Sequence, residues 1–138
     1  MSQENVEMAH RSVDAVNRRD LDAYLALMDD DIEAISRLAV IEGAFQGHDG
    51  IRRWWQTLFD IWPDFTAQVV ELHPFGDLTL GTALLKGHGA GSDIPWDWTI
   101  YTVARWRRGK CLWWGNYNTR AEALEAASLS EQNAHDDS

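Results

Sequence analysis

The sequence predicts an α+β domain in which mostly helical segments are followed by an antiparallel sheet. One helix is the clearest element, because apolar side chains recur at helical spacing at Ile51, Trp54, Trp55, Leu58, Phe59 and Trp62. After Pro63 the chain alternates in the manner of strands, whereas most of the chain before Asp49 reads as helix. Residues 51–62 are therefore predicted to connect a helical layer with a sheet.

The other N-terminal helices are predicted from periodicity and capping residues. Residues 4–17 place Val6, Ala9, Val13 and Val16 on one face, and Asp20 can cap a short second helix. Asp49 is likewise expected to cap the helix at 51–62, and Pro63 to end it. The aspartates at 29–31 are predicted to form a solvated turn, because no calcium-loop pattern follows them.

Six strands are predicted, at residues 32–35, 40–45, 65–75, 78–88, 96–106 and 111–118. The stretch 87–91 is too rich in glycine to hold regular strand pairing and is expected to be a mobile loop or a bulged rim. It is not expected to bind phosphate, since a strand rather than a helix follows it. Residues 119–122 form a capping-box sequence that begins a final short helix, through which Leu124 and Leu129 are expected to dock. One domain is thus predicted over residues 1–129, with a disordered polar tail at 130–138.

The composition excludes several classes of partner. The 138 residues include 12 lysines and arginines and 22 aspartates and glutamates, and the net charge of −10 disfavours nucleic acid and anionic membranes. A single cysteine allows no intrachain disulfide, and no apolar run is long enough to span a bilayer. A cytoplasmic protein is expected.

Tryptophan is unusually frequent. The chain has eight, at positions 54, 55, 62, 96, 98, 106, 113 and 114. Each brings an indole N–H that needs a partner when buried, so some are expected to line a cavity or an interface.

The chain resembles the SnoaL-like branch of the NTF2-like superfamily over roughly residues 4–129. The resemblance is carried by Asn17-Arg-Arg-Asp-Leu-Asp22, Gly47-His-Asp-Gly-Ile51, Pro63-Asp-Phe65, Arg108-Gly-Lys110 and Arg120-Ala-Glu-Ala-Leu124. It implies a cone: a curved antiparallel sheet wrapped around the long helix, two further N-terminal helices and a deep apolar pocket. Such folds include cyclases, isomerases, dehydratases and epoxide hydrolases, so the fold alone does not select a reaction.

The catalytic pattern that the resemblance implies is incomplete. The acid/base aspartate of polyketide cyclases falls on Asn116, and the histidine of the preceding strand falls near Thr102. The aspartate of ketosteroid isomerases falls close to Ile35 or Ser36. An amide cannot accept a proton from an acidic C–H, so the cyclase base is expected to be missing.

The same register predicts a pocket wall. Side chains two residues apart in a strand share a face, so alternate residues of the third long strand are predicted to point inward. On the facing strand, Trp114 and Asn116 are predicted to point inward together. The ligand-binding candidates are Tyr24, Trp54, Trp96, Trp98, Thr102, Trp114 and Asn116. The indoles either fill the cone or bind a flat ligand, and Tyr24 is either a core tyrosine or a hydrogen-bond donor to that ligand.

Asp97 and His88 are the remaining catalytic candidates. Asp97 faces outward by strict alternation, or inward if a bulge turns it, in which case apolar surroundings would raise its pKa. His88 is either a solvent-facing residue or an acid/base at the rim, and His48 is expected to shape the turn before the long helix. The histidines and the cysteine lack metal-ligand spacing, so neither a metal site nor a cofactor is predicted.

Two functions are compatible with these features. The first is a pocket protein for a small apolar, ring-containing ligand, with lyase or isomerase chemistry left open. The second is a non-catalytic interaction module. A homodimer is expected, because Trp113 and Tyr117 alternate onto a sheet face predicted to be open.

Overall fold

The computed structural model describes residues 2–38 and 41–136. Within these ranges the helices are α1 (Ser2–Asn17), α2 (Leu21–Ala26), α3 (Gly47–Ile61) and α4 (Arg120–Asp136). The strands are β1 (Met28–Leu38), β2 (Ile41–Gln46), β3 (Thr66–Phe75), β4 (Leu78–His88), β5 (Pro95–Arg107) and β6 (Lys110–Tyr117). The predicted α+β class is therefore confirmed.

All six strands form one curved sheet in the order β2-β1-β6-β5-β4-β3. Every neighbouring pair is antiparallel except β1 and β6, which run parallel. The first hairpin is thus joined to the C-terminal meander through its first strand. This pairing makes the two segments one continuous open sheet, with β2 and β3 as its edge strands.

Hydrophobic residues are buried on both faces of the sheet. The larger cluster lies between the inner face and the N-terminal helices, and it includes Ile51, Trp54, Trp55 and Leu58 of α3. The predicted stripe of α3 is therefore buried, with Ile51 and Leu58 completely inaccessible. The smaller cluster lies on the outer face against α4.

The turn after α1 is held by side-chain hydrogen bonds to the backbone. The Asn17 side chain donates to the Ala67 carbonyl and accepts from the Ala67 N–H, both at 2.8 Å. Arg19 adopts a φ of 61°, and the Asp20 carboxylate accepts from the Ala23 N–H at 3.0 Å as the predicted cap of α2. The segment thus reverses the chain and fastens α1 to the sheet.

Some predicted boundaries are wrong. The aspartates at 29–31 do not form a turn but lie in β1, where the pairing with β6 shifts register between Met28 and Glu33. α3 begins at Gly47, so Asp49 lies in its first turn and bonds to Arg52 at 2.7 Å instead of capping the helix. Val40, predicted to begin the second strand, lies outside the described residues.

Helix α4 differs most from expectation. It runs to Asp136, through residues 130–136 of the expected disordered tail. Its capping box is confirmed, because Thr119 Oγ1 accepts from the Glu122 N–H and donates to the Glu122 carboxylate. The docking residues, however, are the small Ala123 and Ala127, whereas Leu124 and Leu129 remain about half exposed.

Trp113 and Tyr117 are not on an open face. Both pack in the outer cluster beneath α4, and Tyr117 is buried. The expectation of an open aromatic face is therefore wrong, because α4 lies where a second copy was expected. None of the helices in the described ranges is both long and apolar enough to cross a membrane.

Candidate ligand-binding cavity

A cavity of about 150 Å³ lies inside the cone, between the inner face of the sheet and helices α1, α2 and α3. Its wall is predominantly apolar. The apolar lining includes Ala9, Val13, Val16, Met28, Trp54, Phe65, Ala67, Leu72, Ala83, Leu85, Ile100, Ala104, Trp106 and Trp114.

The β5 part of the cavity wall includes three of the five β5 residues that alternation predicted to point into the cone. Ile100, Thr102, Ala104 and Trp106 all line the cavity, and Thr102 pairs across the ladder with Asn116 of β6 and Gly81 of β4. A Cβ at Gly81 would lie 2.8 Å from the Thr102 hydroxyl oxygen. The missing side chain at Gly81 therefore leaves the space that Thr102 occupies.

Asn116 is held in one orientation. It is 5% exposed, and its Oδ1 accepts from the backbone N–H of Arg37 at 2.6 Å. Because only the oxygen of an amide can accept, the Nδ2 group must be the end left for other partners. Asn116 also lines the cavity.

Tyr24 of α2 is a neutral phenol at the cavity wall. Burial raises its pKa, the nearby Cys111 adds to this, and the Trp114 indole N–H lowers it. The Trp114 indole N–H lies near enough to the hydroxyl to lower this pKa but forms no hydrogen bond with it. Tyr24 therefore remains protonated at physiological pH.

Cys111 also lines the cavity, as a thiol. Burial raises its pKa to about 12, and its Sγ donates to the Trp113 carbonyl at 3.3 Å. The lining contains one carboxylate residue, Glu71, but its carboxylate bonds to Arg120 at 3.3 Å. No lining residue that the structure describes is an aspartate, histidine, lysine or arginine.

Within the part of the chain that the structure describes, two buried indole N–H groups have no hydrogen-bond partner. Trp54 Nε1 and Trp114 Nε1 are both sealed from solvent, and their rings meet edge-on with centroids 5.0 Å apart. An unpaired buried donor costs about 1–3 kcal/mol relative to a paired one. The wall therefore contains polar groups that its own packing does not satisfy.

Five of the seven predicted ligand-binding residues line the cavity together: Tyr24, Trp54, Thr102, Trp114 and Asn116. Trp96 and Trp98 do not. Trp96 stacks on Trp62 with centroids 4.4 Å apart, and Trp98 lies 6.0 Å from Trp96, so these indoles pack on one another at the C-terminal end of α3.

His88 and Asp97 lie away from the cavity. His88 is held by Asp64, whose two carboxylate oxygens lie 2.7 Å from the His88 backbone nitrogen and from Nδ1. These contacts keep the pKa of the Asp64 carboxyl below its usual value, with the backbone bond the larger cause. Asp97 is exposed on β5, opposite Lys86 of β4.

His48 lies in α3, with Nε2 2.9 Å from the Met28 carbonyl oxygen.

Sequence reasoning missed Cys111. Counting by twos from Trp114 places Leu112 inward, but the β5–β6 register shifts between Arg105 and Trp106. The shift pairs Trp106 with Cys111 and turns the thiol into the cavity wall. A bulge of this kind has no signal in the alternation itself.

No group of three potential metal ligands occurs within residues 2–38 and 41–136.

The curved sheet, the enclosed helix and the internal cavity together define the NTF2-like class of α+β cones. Residues 9–114 match the model of the SnoaL-like domain. The chain therefore belongs to the SnoaL-like family. No curated protein matches it in sequence.

Solved structures show the same fold at low identity. An NTF2-like protein of unknown function from Burkholderia pseudomallei has 17% identity and a TM-score of 0.77, covering 88% of this chain and 95% of that one. A putative SnoaL-like polyketide cyclase from Jannaschia has 20% identity and a TM-score of 0.74, covering 91% and 92%. TerC, co-crystallised with polyporic acid, has 17% identity and a TM-score of 0.75, covering 88% and 96%.

Proposed function

We propose that this SnoaL-like protein binds a small, apolar, ring-containing molecule in its internal cavity. The observation that carries the proposal is the cavity itself: about 150 Å³ of space with an almost wholly apolar wall that includes Trp54 and Trp114. An apolar cavity of roughly this size can hold a molecule the size of benzene. Filling of the cone by the indoles, the other sequence-based reading, would leave no such space.

The absence of a polyketide-cyclase base supports binding without cyclase chemistry. Asn116, at the position that the family pattern gives to the acid/base aspartate, is an amide whose oxygen is already bonded to the Arg37 N–H. General-base catalysis contributes about 10²–10⁴-fold, and the one carboxylate among the described lining residues, Glu71, is paired with Arg120. We therefore expect no turnover of a nogalonic-acid-like ester, while lyase or isomerase chemistry that needs only neutral donors stays open.

The test is a thermal-shift titration with uncharged one-ring compounds, toluene and benzaldehyde among them. Binding to the native state alone raises stability by RT ln(1 + [L]/Kd), so a ligand at about 100 times its Kd adds roughly 2.7 kcal/mol. The matched variants are Ala83→Leu, which fills the cavity, and Ala44→Leu, which adds the same atoms at an exposed site on β2. We expect the shift to be lost only in Ala83→Leu. An absence of any shift in the unmodified protein would refute the proposal.

A dimeric interaction module is the second candidate function. It is favoured by Val70 and Phe75, which are 60% and 48% exposed on the edge strand β3. Exposed apolar residues on an edge strand are a common site of association. We expect light scattering at micromolar concentration to give a dimer that Val70→Glu converts to monomer, and a monomer before substitution would contradict this.

A further inference from the structure

The polar groups of the cavity wall restrict the chemistry of its ligand, given the proposed ligand-binding function. Several polar side chains there are already used by the protein. Ser12 donates to the Ala9 carbonyl at 2.7 Å, and Thr79 accepts from the Trp106 indole N–H at 3.0 Å. The groups that remain in the described part of the chain are the unpaired indole N–H groups of Trp54 and Trp114, which can only donate, and the side chains of Tyr24, Thr82, Thr102 and Asn116.

Asn116 presents a donor. Its oxygen is occupied by the Arg37 N–H at 2.6 Å, so the free end of the amide is NH₂, which cannot accept. A ligand atom that meets this group must therefore carry a lone pair.

Tyr24 presents a second donor. It is 5% exposed and lines the cavity. The Trp114 indole N–H beside the hydroxyl is a donor and competes for the oxygen lone pairs rather than for the proton. The phenolic proton is thus the part of Tyr24 left to bind a ligand.

Charge and size limit the ligand further. An anion would be buried without a cation, because no lysine or arginine is among the lining residues that the structure describes, and burying an unpaired charge is costly. A cavity of about 150 Å³ holds one six-membered ring with a small substituent. We propose that the ligand is a neutral single-ring carbonyl compound, such as an aryl aldehyde or a cyclic ketone, whose oxygen accepts its main hydrogen bond from the Tyr24 hydroxyl.

The experiment compares benzaldehyde with styrene, which has almost the same shape but no acceptor oxygen. Binding is followed by NMR through the eight tryptophan indole N–H signals, in the intact chain. One net hydrogen bond of about 0.5–1.5 kcal/mol corresponds to a preference for benzaldehyde of roughly 2- to 10-fold. Tyr24→Phe should bring that ratio close to one. Tyr101→Phe, the same change on the outer cluster beneath α4, should leave it unaltered.

The outcomes separate this inference from the proposed function. Equal affinity for both compounds, or an undiminished preference in folded Tyr24→Phe, overturns the carbonyl assignment while leaving the cavity a ligand site. If neither compound binds up to its solubility limit, the proposed function fails and the inference with it. A preference lost in Tyr24→Phe and kept in Tyr101→Phe supports both.

Discussion

Asn116 links the chemistry of the cavity to the stability of the first hairpin. Its side chain crosses from β6 to the β1 backbone and accepts from the Arg37 N–H. The amide therefore bridges two parallel strands and also lines the cavity, where we propose that its NH₂ group donates. An amide meets both needs without charge, whereas a carboxylate at this position could serve only as the acceptor.

We expect Asn116→Asp to destabilise the protein by about 1–3 kcal/mol at neutral pH, because a buried carboxylate loses its hydration. Burial would raise the folded-state pKa of the new carboxyl above its unfolded value of about 3.9. The stability of the variant should therefore recover as the pH falls toward that unfolded value, because the carboxyl becomes neutral. Urea denaturation at pH 7 and pH 4.5 measures this. Asn118→Asp, at an exposed site, is the control, and equal stability of the two variants at pH 7 would contradict the prediction.

Side-chain directions were predictable wherever strand pairing is regular. Thr102 faces Asn116 inside the cone because alternation holds through that part of β5. Cys111 could not be placed, since a bulge changes the parity of β6. Trp96 and Trp98 pack against the inner cluster, but they lie at a distance from the cavity, beside Trp62. Alternation carries no information on that distance.

At the scale of elements, the Asn17 side chain forms hydrogen bonds to the backbone of β3 in the way that a neighbouring strand does. It forms both hydrogen bonds that a neighbouring strand would give to Ala67. We expect Asn17→Ala to lower the free energy of unfolding by about 1–2 kcal/mol, since two exposed bonds of roughly 0.5–1.5 kcal/mol are lost. Asn17→Asp keeps only the acceptor and should show an intermediate loss. Denaturant titration checks the order, and an alanine variant as stable as the unmodified protein would show that the bonds add nothing.

The end of β4 is fastened by Asp64. Because contacts with His88 lower the pKa of this carboxyl, its contribution to stability is present above its unfolded pKa, near 4, and is lost as the pH falls through the lower folded pKa. We expect Asp64→Asn to be less stable than the unmodified protein at pH 6 and to approach it in stability below pH 3. Urea midpoints measured between pH 2.5 and pH 6 test this. Asp93→Asn, exposed in the following loop, should keep a constant difference, and parallel curves for Asp64→Asn would be evidence against the contact.

Helical periodicity located α3 well because one broad stripe of large side chains is buried there. It failed for α4, where the buried residues are Ala123 and Ala127. Close approach of a helix to a sheet favours small residues, and these give a weak apolar signal. The prediction that Leu124 and Leu129 dock on the sheet relied on their size and was wrong, because both lie on the exposed face of α4.

At the scale of the whole molecule, α4 shields the outer face of the sheet. Leu78, Val103 and Tyr117 are buried beneath it. We expect a chain that ends at Asn118 to self-associate, because those side chains would become an exposed apolar patch. Light scattering and size-exclusion chromatography measure the association. A chain that ends at Ser130 retains Ala123 and Ala127 and is the control. A shortened chain that stays a folded monomer would show that α4 does not provide the cover.

The parallel pairing of β1 with β6 governs the order in which the molecule can assemble on the ribosome. Residues 33–35 contact residues 113–115, so this pairing spans most of the chain and must wait for the last strand to be synthesised. Long-range contacts of this kind slow folding, and incomplete chains expose strand edges to their neighbours. The nascent cone therefore stays open until β6 emerges, and the part of the cavity wall that Asn116 and Trp114 form is absent until then.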